Sequence, residues 1–225
     1  FQPRRCIVSL IELLCALIAL PLVLHFGVTM PRRLVAEIHL DHRILRQEAK
    51  LPKGLSIPTI FGITALWLLT SAWIIQQDMS PQWRLFTLGL AACLLLGAII
   101  DARTGLLPFQ VSAWVGLGGL LYQSQVAPLL IGQHIFTGIC IYVVLTLTNR
   151  LVMWWSRQQM LGGGDVMLLS AVASFLSIEG IAWSLMLATL TGFIEGRLYK
   201  RSIIRFGPHL SLAILSYWLS RVMLT

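Results

Sequence analysis

Charge is scarce in this chain, and negative charge is scarcest. Of 225 residues, 12% are charged and only 9 are Asp or Glu, whereas an ordinary soluble domain carries roughly 25% charged residues. Hydrophobic residues make up 57%. This excludes a soluble globular domain and implies an integral membrane protein of all-α, polytopic helical fold, with no length left over for a separate soluble domain. Lys and Arg outnumber the acids, for a net charge of +8. In a membrane protein that excess marks cytoplasmic loops rather than a nucleic-acid partner. Cysteine is also sparse: Cys6, Cys15, Cys93 and Cys140. No two have the C-x-x-C spacing of a zinc or dithiol site, so neither a metal nor a cofactor is expected. Three of them lie in apolar runs, where a thiol acts as a small buried hydrophobe. Low-complexity segments and clear internal repeats are absent.

Apolar runs predict eight spans, each needing about 20 residues or somewhat fewer when its ends are snorkelled or buried in protein. They are residues 6–28, 57–75, 85–100, 109–122, 135–155, 165–178, 181–198 and 209–224. The first run is long enough to span, so it reads as a membrane helix and not as a cleaved signal peptide. Residues 29–55 are polar and basic, and Leu34, Ile38, Leu45 and Ala49 suggest a helix at the interface. The basic stripe there fits topology and contact with anionic lipid. Gly116, Gly118 and Gly119 in the fourth run let helices approach closely. Trp154 and Trp155 look like interfacial anchors. A tight turn is expected at Glu179-Gly180.

Basic residues alternate from loop to loop. The first loop carries six Lys/Arg and the seventh four, counting Arg197, while the fourth and sixth carry none. The odd-numbered loops are therefore expected on the cytoplasmic side. Arg4 and Arg5 depart from this bias. On this topology Asp101, after the third run, and Asp165, at the head of the sixth, reach the same cytoplasmic face.

A carboxylate at membrane depth is costly unless it is paired or faces water. Two carboxyls sharing one site do not ionise together; one keeps its proton and the pair titrates as a unit. That is the aspartic-protease arrangement, in which the ionised member takes a proton from water and the protonated one donates to the carbonyl. The helix macrodipole favours charge on Asp165, at a helix start, over Asp101, at a helix end. On that ground Asp165 is expected to be the ionised member. Gly162, Gly163 and Gly164 precede Asp165. Their backbone is open to close approach by an extended peptide; alternatively they are a plain loop with Asp165 as the N-cap of the next helix.

Three segments together resemble a known family. They are Ile100-Asp101 with Leu107-Pro108, Gly162-Gly163-Gly164-Asp165-Val166 with Leu168-Leu169-Ser170-Ala171, and Phe206-Gly207-Pro208-His209-Leu210. In order, spacing and membrane side they resemble the type IV prepilin peptidases (leader peptidases), which are GxGD-type intramembrane aspartyl proteases. The resemblance covers about residue 56 to the end. It implies cleavage of short basic leader peptides from type IV prepilins or type II secretion pseudopilins at the cytoplasmic face of the bacterial inner membrane. Asp101 and Asp165 would be the catalytic pair, and Gly162, Gly163, Gly164, Pro108, Gly207 and Pro208 would form the site loops. The implied partners are the prepilin and membrane lipid, with no nucleic acid.

The chain also departs from the pattern. Family members that methylate the new amino terminus carry paired cysteines between the first two spans. Here residues 29–55 have none, which implies a single membrane-embedded peptidase domain over 1–225 without N-methyltransferase activity. The family commonly has Lys where this chain has Met167, and Asp or Asn where it has Phe109. These two positions keep open a second reading, a weakened or silent pilus or secretion assembly protein. A small transporter is a third, but its ionisable groups would lie near the bilayer midplane. Glu12 and Glu195 are expected to pair with an Arg or a helix neighbour, Glu195 beside Arg197. His25, His134 and His209 are expected to be isolated and interfacial.

Overall fold

The structure is a computed structural model, which describes residues 17–19, 21–23, 25, 57–77, 80–157, 161–199 and 205–223. The first expected span is helical at its described positions, 17–19, 21–23 and 25. The rest of it and the expected interfacial helix in 29–55 lie outside the described residues. No strand occurs among the described residues. The protein is an all-α membrane protein whose helices are α1 (Ile57–Gln76), α2 (Pro81–Thr104), α3 (Phe109–Val126), α4 (Ile131–Ser156), α5 (Gly163–Val172), α6 (Ile178–Tyr199) and α7 (Phe206–Met223), with a 3₁₀ turn at Pro128–Leu130. Among the described residues, three segments are long and apolar enough to cross a bilayer: Pro81–Thr104, Pro128–Ser156 and Ile178–Leu198.

The chain forms two compact units, Phe1–Ala92 and Cys93–Thr225, with the boundary inside α2. In the first unit, Ser80 starts α2. Its Oγ accepts the Trp83 N–H at 3.5 Å, its carbonyl accepts the Arg84 N–H at 3.1 Å, and Pro81 takes the first helical position, where a missing N–H costs nothing. The Arg84 guanidinium donates back to the Ile75 carbonyl at 3.4 Å, tying the end of α1 to α2.

The second unit is built around the short helix α5, which packs against α3, α4 and α7, while α6 packs against α7. Glycines make these approaches possible. A Cβ at Gly116 of α3 would stand 3.4 Å from the Ala171 Cβ, and one at Gly119 would overlap Ser174 and Phe175. On α4, a Cβ at Gly138 would stand 2.9 Å from the Ser170 carbonyl oxygen. Small residues thus set helix spacing as expected. Helix α4 has no buried residue. Trp154 and Trp155 at its end are 85% and 90% exposed, as suits lipid-facing side chains.

Several boundaries differ from those expected. The helix expected over 165–178 ends at Val172, so α5 is about 15 Å long, half the hydrocarbon thickness of a typical bilayer. Its last turn tightens: Ser174 N–H donates to the Ala171 carbonyl at 3.0 Å and Phe175 N–H to the Val172 carbonyl at 3.1 Å. The Phe175 ring then meets the Trp218 ring edge-on at 5.3 Å. The Ala173 carbonyl, left unpaired by the helix end, accepts from His134 Nδ1 at 2.9 Å. His134 is therefore not isolated; it closes a helix terminus. Glu179-Gly180 is not a turn but lies in the first turn of α6. The expected uncharged link at Gln123–Gln125 is the last turn of α3. Local polarity misplaced these ends because a helix continues while its backbone bonds are satisfied, whatever the side chains.

Candidate functional site

Asp101 sits in the last turn of α2, and the chain after it is clipped tightly. The Gly105 N–H donates to the Asp101 carbonyl at 2.7 Å, and Gly105 adopts φ 71°, the left-handed conformation that ends helices and favours glycine. Thr104 Oγ1 donates to the Ile100 carbonyl at 2.8 Å and accepts the Leu106 N–H at 3.1 Å. Leu107 then turns inward. A Cβ at Gly97 would lie 3.0 Å from Leu107 Cδ1, and a Cβ at Gly164 would lie 2.7 Å from both Leu107 Cβ and its carbonyl oxygen. Leu107 is thus wedged between the helix that carries Asp101 and the first turn of the helix that carries Asp165. Pro108 follows, buried, as the extended N-cap of α3.

The Asp101 side chain is buried, at 6% exposure. Its Oδ2 accepts the Gly207 N–H at 3.1 Å, and the positive charge of Arg205 acts on it. Gly207 and Pro208 lie in the first turn of α7, where proline is tolerated. The start of α7 is fixed to the end of α6 by His209 Nε2–H donating to Glu195 Oε2 at 2.6 Å. Glu195 was expected beside Arg197 and His209 was expected alone. They meet because α6 and α7 pack side by side, which puts two residues 14 apart in sequence on facing surfaces.

Asp165 is likewise buried, at 8% exposure. Gly162 is the N-cap of α5, with φ −64° and ψ 146°, so Asp165 occupies the third helical position and is not itself the cap. Its carboxylate turns back toward Gly162, where a Cβ would stand 3.1 Å from Asp165 Oδ2. Its Oδ1 is buried and has no hydrogen-bond partner among the described residues. The two carboxyl groups lie close enough to act on each other electrostatically. Of the expected glycine loop only Gly162 lies outside the helix; Gly163 and Gly164 are helical, and of these only Gly164 lacks room for a side chain.

The structure therefore gathers Asp101 with Gly207, Asp165 with Gly162, and Gly164 with the residue before Pro108. Gly163 lies apart from these contacts, on a cavity of about 360 Å³ between α4 and α5 that Tyr142, Asn149, Arg150 and Met167 also line. Met167 lines that cavity, and Phe109 is 60% exposed. Two positioning contacts had no part in the sequence reading, those of Leu107 and Asn149. Asn149 did carry a signal, as an amide inside an apolar run. Leu107 stood in the Leu107-Pro108 segment that carries the resemblance, but nothing there announced its approach to Gly97 and Gly164. Among the described residues no group of three or more His, Cys, Asp or Glu side chains is placed to hold a metal.

Two buried carboxyls that act on each other, one held by a backbone N–H and the other with a buried oxygen that has no partner among the described residues, can share a proton and polarise water between them. Residues 88–196 match the type IV leader peptidase family. The chain is 25% identical over 119 residues to a prepilin leader peptidase/N-methyltransferase of Vibrio cholerae, covering 52% of this chain and 47% of the relative. It is 27% identical over 163 residues to a protein of the same description from Dickeya chrysanthemi, covering 69% of this chain and 56% of the relative. The chain thus spans about half the length of the curated relatives it matches. No solved structure matches it.

Proposed function

Because this chain belongs to the type IV leader peptidase family, we propose that it is an aspartic endopeptidase that removes basic leader peptides from prepilins or pseudopilins. The reaction would take place at the cytoplasmic face of the bacterial inner membrane, with Asp101 and Asp165 as the catalytic pair. The observation that carries this reading is the electrostatic contact between two buried carboxyls from separate helices. Nothing in ordinary membrane packing requires two such acids to meet, and burying them near each other is costly unless they act together.

In the proposed mechanism one carboxylate accepts a proton from the attacking water while the other carboxyl donates to the scissile carbonyl. Of the two, Asp101 is the better placed to carry charge, because it accepts the Gly207 N–H and has the Arg205 charge acting on it. Asp165 has the helix N-terminus, but its Oδ1 is unpartnered among the described residues. A helix terminus amounts to about half a charge and acts within one turn, whereas an arginine brings a full one. The assignment expected from the helix dipoles alone is therefore reversed: Asp101 is the base and Asp165 the acid. Gly207 positions Asp101, Gly162 positions Asp165, and Leu107 with Gly164 keeps the two helix ends together.

N-methylation is not part of this proposal, since no paired cysteines occur in residues 29–55. The test is leader removal from a co-expressed prepilin, followed by mass. Cutting by wild type and none by membrane-inserted Asp101→Asn or Asp165→Asn is the expected result. Cutting by both variants would end the dyad reading.

A further inference from the structure

Asn149 lies in α4, seven residues before the helix ends at Ser156, between Thr148 and Arg150. Its amide makes two hydrogen bonds to one residue of another segment. Nδ2 donates to the Leu161 carbonyl at 2.6 Å, and Oδ1 accepts the Leu161 N–H at 3.0 Å. The pattern fixes the amide orientation, since a carbonyl only accepts and an N–H only donates. Leu161 is outside any helix, and its side chain is 91% buried, being 9% exposed. Buried backbone outside a helix needs partners for its N–H and C=O, and Asn149 satisfies both at once.

Leu161 is followed by Gly162, against which the Asp165 carboxylate lies: a Cβ on Gly162 would stand 3.1 Å from Asp165 Oδ2. The chain of contacts therefore runs from Asn149 through Leu161 and Gly162 to Asp165. We propose that Asn149 is a positioning residue for the peptidase reaction: its amide clasp on Leu161 sets the register of the segment entering α5 and so aims Asp165. This rests on the peptidase reading above. The role proposed for Asn149 is positioning, not catalysis.

The test uses the full chain in lipid nanodiscs, with Asn149→Ala and Asn149→Asp. Aspartate has the shape of asparagine and keeps an acceptor for the Leu161 N–H, but it faces the Leu161 carbonyl with oxygen instead of NH₂. Both variants are expected to lower kcat for prepilin cleavage on the order of 100-fold, as a small misplacement of a catalytic group can. KM should stay within about threefold, because uniform binding is untouched. Amide exchange at Leu161 and Gly162 should rise at least about tenfold in both, while amides within α2 and α4 keep their protection. A kcat within about threefold of wild type in Asn149→Asp would overturn the proposal, and so would unchanged exchange at Leu161. If wild type cuts no prepilin, it is the peptidase reading that has failed; the exchange result then decides separately whether the clasp holds the segment.

Discussion

The Gly207 N–H donates to Asp101 Oδ2 at 3.1 Å across 106 residues of sequence. The approach leaves no room for a side chain, because a Cβ on Gly207 would stand 2.5 Å from that oxygen and 2.7 Å from the Asp101 Cγ. This single contact ties the last turn of α2 to the first turn of α7. It makes a glycine in one segment a condition for the carboxyl in another.

Gly207→Ala is expected to displace the Asp101 carboxyl and lower prepilin cleavage on the order of 100-fold. Gly163→Ala serves as the control, since nothing lies within 4 Å of a Cβ there. Initial rates on purified protein at equal insertion check this. Equal losses in the two variants would mean that Gly207 is not special.

Removing either carboxyl should disable the pair as a unit. Asp101→Asn and Asp165→Asn are each expected to lose at least about 1000-fold in kcat, and the double variant should lose little more, because residues that act together are not additive. Single-turnover assays on the three variants measure this. Additive losses would show that the two acids work independently.

Infrared difference spectra can separate the roles. With Asp165 as the protonated member, the carboxylic-acid C=O band in the resting protein should vanish in Asp165→Asn and persist in Asp101→Asn. The opposite pattern would restore the assignment that the helix dipoles alone suggest.

Gly164→Ala should destabilise the fold by about 1–3 kcal/mol through overpacking against Leu107. Adding Leu107→Ala should not rescue it, because the atoms in the way are the Leu107 Cβ and carbonyl oxygen, which alanine keeps. Thermal midpoints of the two variants in detergent check both points. Recovery in the double variant would place the clash on the leucine side chain instead.

The proposed topology puts the end of α4 on the cytoplasmic side and the 3₁₀ turn before it outside. Leu129, 97% exposed in that turn, should as cysteine label from outside with a membrane-impermeant thiol reagent. Ser156→Cys should label only after permeabilisation. The reverse pattern would invert the orientation of the carboxyl pair.

What the sequence determined by itself was the solvent and the parts. Hydropathy is a local transfer property of each side chain, so apolar runs located α1 to α4, α6 and α7 and identified a membrane protein. The scarcity of acids singled out Asp101 and Asp165 for the same reason, since burying a carboxyl is costly wherever it occurs. Helix ends and partners were beyond it. The early stop of α5 depends on Phe175 meeting Trp218 and on His134 meeting the Ala173 carbonyl. The Glu195–His209 pair, the Leu107 wedge and the Asn149 clasp likewise join separate segments. Only the tertiary structure decided these, because a contact between distant residues is set by how helices pack and leaves no periodic mark in either stretch of chain.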